Sequence, residues 1–140
     1  MPEKKTMERL KKDKAEGKAP TTQAGEFVRE EMEHIREGKH GARSTRQAIA
    51  IGLSKARRAG VELPPPRKGA TSDSTRKHAV RDLEKGQSGK QTKPAAKRSR
   101  SRLAALKREP RAAASKSALS RQTKQAAARR RLRGKVTNSA

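Results

Sequence analysis

Apolar positions are sparse along this chain and gather between residues 27 and 63. From Phe27 to Ile35 they follow F-V-x-x-x-M-x-x-I, and Val28, Met32 and Ile35 fall at i, i+4 and i+7, the spacing of one helical face. Glu30, Glu33 and Glu37 then cluster on the opposite side, so the pattern predicts an amphipathic helix with a solvated acidic face that stops at Gly38. The most apolar window comes next, STRQAIAIGLSKARRAG at 44–60. Ser44 and Gln47 fit an S-x-x-Q capping box, which predicts a second helix starting there. On a helical wheel Ile49, Leu53 and Ala56 share an arc of about 140° with Ala48, Gly52 and Ala59. Ile51 falls outside it, beside Lys55 and Arg58.

The connection GKHGARS is short, which favours an antiparallel pair. The expected module is a two-helix hairpin at about 22–60, with a core of Val28, Met32, Ile35, Ile49, Leu53 and Ala56. Its small residues would let the two backbones approach closely. Such a core is marginal, since domains below roughly 40 residues usually need outside help. Ile51 is therefore a candidate contact to a second copy or to a protein partner. The run Pro64, Pro65, Pro66 ends helical structure, because proline lacks an amide donor and fixes φ.

Charge changes the picture for the rest. Residues 67–140 hold 23 lysines and arginines against 4 acids, while residues 21–66 hold 8 against 6. The whole chain is 29% hydrophobic, with Phe27 as its single aromatic and a net charge of +24. That balance disfavours one compact core over 140 residues. The expected fold class is mainly α: the hairpin followed by a largely disordered, partly helical basic tail. Domains would run 1–21 as a basic arm, 22–62 as the hairpin, 63–70 as a proline-rich linker and 71–140 as the Lys/Arg/Ala-rich tail. Weak helices are legible at 72–85, 99–109 and 115–132.

A one-sided positive charge points to polyanions. Nucleic acid is the expected partner, DNA ahead of RNA, held without sequence preference. The candidate contacts are Lys97, Arg98, Arg100 and Arg102, and Lys124, Arg129, Arg130, Arg131, Arg133 and Lys135. The tail lacks the aromatic platforms that single-strand binders stack bases on. Alternative readings are a hairpin that docks a protein partner, and a basic phage- or ribosome-associated protein that uses RNA. No catalytic residues, metal ligands or cofactors are expected, nor a small-molecule substrate. His34, His40 and His78 have no ligand spacing and read as exposed polar residues. Without cysteine there are no disulfides or thiolate sites. No apolar run approaches the ~18 residues of a membrane span. The expected location is cytoplasmic, with the nucleoid.

The stretch TQAGEFVREEMEHIREGKHGARSTRQAIAIGLSKARRAGVELPPP resembles a family of small basic bacterial proteins catalogued as a domain of unknown function. The element from Arg46 to Arg57 is similar to one in short basic phage proteins. The resemblance covers about the first 70 residues and implies a bacterial source and the hairpin, but no activity. The tail is similar to histone-like basic tails by composition only.

Overall fold

Caps and glycines set the helix boundaries. The computed structural model describes residues 3–89 and 95–138, with side chains to residue 134. These residues form α1 (Lys4–Ala15), α2 (Pro20–Arg36), α3 (Thr45–Arg58), α4 (Asp73–Ser88), α5 (Ala96–Lys107) and α6 (Lys116–Asn138), with a short 3-10 turn at Ala112–Ala114. Pro20 opens α2, where its missing amide costs nothing. Gly38, at φ +80°, ends it: the Lys39 amide returns to the His34 carbonyl at 2.9 Å. Ser44 Oγ accepts from the Gln47 amide at 3.1 Å, and the Gln47 side chain accepts from the Arg43 amide at 2.6 Å. The return bond of this cap thus goes one residue further back than in a standard capping box.

Two apolar clusters hold the helices together. One joins Leu10 of α1, Ala24 and Phe27 of α2 and Ala56 of α3 to Val61 and Leu63 beyond α3. The other joins Met32 and Ile35 of α2, Ala42, Ala48 of α3, and Ala113 and Ala114. Helices α2 and α3 meet at Gly52, where a Cβ would stand 2.7 Å from Val28 Cα. Helix α4 approaches α3 equally closely, with Gly86 against the Arg57 carbonyl. Ser54 donates to Asp82 across that contact at 2.7 Å, and Arg58 pairs with the same carboxylate at 3.7 Å. Arg57 is buried and donates to the Leu63 and Pro64 carbonyls at 3.2 and 3.0 Å, which ties the proline run to α3. Burial pushes its pKa below the ordinary arginine value.

The expected fold, a two-helix hairpin at about 22–60 with a largely disordered tail, is overturned. Helices α4, α5 and α6 occupy the C-terminal half, and α1 occupies the basic arm. The chain around 106–119 is built into the body. Amides of Gly41 and Ala42 donate to the Leu106 and Pro110 carbonyls at 2.8 and 3.0 Å. Thr45 Oγ1 donates to the Ala113 carbonyl at 2.6 Å, and Arg36 Nε to that of Ala114 at 3.0 Å. Arg111 covers the last carbonyls of α2, donating to Ile35 at 3.2 Å and to Arg36. Counting large apolar side chains misses this segment because it packs through alanine. Alanine has the highest helix propensity and lets backbones meet, so polar groups are satisfied by hydrogen bonds where little side-chain area is buried.

Candidate functional site

The basic surface lies on α5 and α6. Lys97, Arg98, Arg100 and Arg102 are exposed along α5, which buries none of its residues. Lys124, Arg129, Arg130, Arg131 and Arg133 are exposed along α6. Lys135 continues that helix, but its side chain lies outside the described residues. Helix α6 is anchored near its start by Leu119, which packs on the second cluster. Lys124 and Arg131, two turns apart, share a face turned away from Leu119. The 23 residues of α6 span about 34 Å at 1.5 Å per residue. Residues 95–138 hold fifteen lysines and arginines against one acid, Glu109. Among the described residues the acids that form ion pairs run from Glu3 to Asp82, outside α5 and α6.

The expected core residues fall on both clusters. Met32, Ile35 and Ala56 are buried, and Val28, Ile49 and Leu53 are half-buried at the cluster edges. Ile51 is half-buried, on the side of α3 whose Ser54 and Arg58 reach Asp82 of α4.

The sequence reading missed a second constellation. Glu30 was expected on a solvated face and His40 in an exposed loop; they are 1% and 8% exposed. Helix α1 covers the Glu30 side of α2, and the turn after Gly38 folds His40 back over it. Glu30 Oε1 accepts from Thr6 Oγ1 at 3.0 Å and from the Glu3 amide. Glu31, fully buried, takes Lys55 on Oε1, and its Oε2 lies 3.2 Å from His40 Nε2. His34 Nε2 donates to Glu3 Oε1 at 2.9 Å, and its ring stands edge-on to that of His40 with centroids 6.2 Å apart. His78 is exposed on α4. The one sequence signal was Glu31 and His34 at i, i+3 with His40 just past a glycine turn.

Glu3 is the latch between α1 and this cluster. Hydrogen bonds from His34 and then Lys39 hold its carboxyl below the usual glutamate value, and Glu3 in turn raises Lys39. A lowered carboxyl pKa contributes stability above the unfolded value of 4.5 and loses it as pH falls through the folded one. Wild type should therefore unfold at higher urea than Glu3→Gln at pH 7. The two midpoints should converge as the pH drops below the ordinary glutamate range. A gap that persists in acid would assign the effect to shape and not to charge.

Residues 18–68, somewhat over a third of the chain, match the model of a family of unknown function (DUF6496). The match covers α2, α3 and the proline run, and α1 and α4–α6 lie outside it. No curated protein matches the chain, and no solved structure does. Among the described residues no helix is long and apolar enough to cross a membrane.

Proposed function

We propose that this protein is a non-enzymatic, histone-like binder of duplex nucleic acid, DNA before RNA, which α5 and α6 hold by the phosphate backbone without regard to sequence. One observation carries the reading: fifteen basic residues share two solvent-facing helices and their connection with a single acid. Lysine and arginine displace the counterions condensed on a duplex, and release of those ions drives binding. Arginine adds paired donors for phosphate oxygens. The helical, anchored form of α6 means that fewer residues must be ordered on binding than in a free tail. The absence of aromatic residues beyond Phe27 argues against base stacking on single strands. A nucleoid-type location follows from this reading.

The test is fluorescence anisotropy of the full chain with a labelled duplex over a range of salt. If about 10 cations meet phosphates, log K falls against log salt with a slope near −9. Replacing Arg129, Arg130 and Arg131 together by alanine should make the slope shallower by nearly 3 units. The loss should be equal on a shuffled sequence. An unchanged slope, or a tenfold preference for one duplex, would contradict backbone binding. Tighter binding to structured RNA than to DNA at equal salt would move the reading to RNA.

A further inference from the structure

We infer that Glu31, His34 and His40 form a binding site for one divalent transition-metal ion of the zinc class. A ring nitrogen from each histidine and a carboxylate oxygen of Glu31 lie within 4.8 Å of one another. Donor accounting shows what is missing between them. His40 Nδ1 faces the Gly41 carbonyl at 2.9 Å, and a carbonyl only accepts, so Nδ1 carries the proton. In the neutral ring Nε2 then presents its lone pair to Glu31 Oε2, another acceptor, at 3.2 Å. Two acceptors at that distance are bridged either by a second ring proton or by a metal cation. A tetrahedral ion with bonds near 2.0 Å sets its ligand atoms about 3.3 Å apart.

His34 follows the same logic. Its Nε2 donates to the Glu3 carboxylate, which leaves Nδ1 as the unprotonated nitrogen. Both histidines thus have one ring nitrogen oriented by an outer acceptor, a carboxylate for His34 and a backbone carbonyl for His40. This is the arrangement by which proteins hold a metal-ligating imidazole in one tautomer.

An independent observation points to the same place. Glu30 Oε2 is buried and has no hydrogen-bond partner. The partners of Glu30 Oε1 are a hydroxyl and an amide, both neutral, and among the described residues no ion pair reaches this buried carboxylate, whereas Lys39 attends Glu3 and Lys55 attends Glu31. Glu30, Glu3 and His34 also lie within 4.8 Å of one another by their ligand atoms, so the orphan carboxylate adjoins the proposed site through His34. Two imidazoles with one carboxylate suit zinc and its neighbours, whereas calcium and magnesium take oxygen donors. The ion would tie α2 to the turn at 38–41, the same turn that holds the 106–110 backbone.

The experiment uses the full chain, stripped with a chelator and titrated with zinc chloride alone by calorimetry. One equivalent should bind with a Kd below about 1 μM, and His40→Gln or Glu31→Gln should weaken it at least 100-fold. His78→Gln, at an exposed site, should change nothing. Circular dichroism of each variant checks that the helices persist. Should a variant unfold, long-range proton–nitrogen spectra of the wild type decide alone, because a metal on His40 Nε2 moves that nitrogen's shift and a proton gives a different one. A protonated Nε2 in the presence of zinc, or zinc binding indifferent to His40, would overturn the assignment and leave the gap to a proton.

Discussion

Gly41→Ala should release the C-terminal segment from the body. A Cβ at this position would overlap the Glu109 carbonyl and stand 2.7 Å from that of Pro110, and all three of its nearest neighbours are backbone atoms with little room to yield. Overpacking of this kind costs about 3 kcal/mol at its upper range. Separation would also break the amide bonds from Gly41 and Ala42 and uncover Ala113 and Ala114. Trypsin should then cut faster after Lys107, Arg108 and Arg111, and urea unfolding should begin earlier. Gly25→Ala is the control. Gly25 lies inside α2, its negative φ is ordinary, and no atom stands within 4 Å of an added Cβ. Alanine there should stabilise by about 0.5–1 kcal/mol through its helix propensity. Equal cleavage of the Gly41 variant and wild type would mean that the 106–114 segment does not dock in solution.

Phe27→Ala should have the largest effect of any single truncation. Phe27 is fully buried and is the chain's one aromatic side chain, so no comparable neighbour can collapse into the space it leaves. It joins α1, α2, α3 and the stretch after α3 in one cluster. Loss of a buried phenylalanine costs about 3–5 kcal/mol, a third or more of the stability of many domains. Thermal unfolding followed by circular dichroism should show a fall in midpoint of more than 10 °C. A fall of only a few degrees would mean that this cluster does not carry the stability of the fold.

Large apolar side chains on one face made α2 and α3 legible, through Val28, Met32 and Ile35 and through Ile49, Leu53 and Ala56. The same rule left α1 unread, since Met7 and Leu10 are its only large apolar residues. It also reduced α4–α6 to weak helices in a largely disordered tail. There the packing relies on Ala79, Ala113 and Ala114, and on Gly41 and Gly86, which advertise themselves only when the partner backbone is known. The basic residues of α5 and α6 were legible from composition alone, because exposure is the default for lysine and arginine. The buried Glu–His cluster was not, because Glu30 and Glu31 sit on adjacent positions of α2 and a single helical stripe cannot bury both. Burial of the pair takes α1 on one side and the 38–41 turn with Lys55 on the other, which are tertiary facts.

Three of the contacts that close this fold, at Gly41, Gly52 and Gly86, bring main chain against main chain. Contacts of that kind bury peptide groups along with few hydrocarbon atoms. The heat-capacity increment of unfolding grows with apolar exposure and shrinks with polar exposure. This protein therefore belongs at the low end of about 12–15 cal/mol/K per residue. Its stability curve is correspondingly flatter, with a slower decline on either side of its maximum.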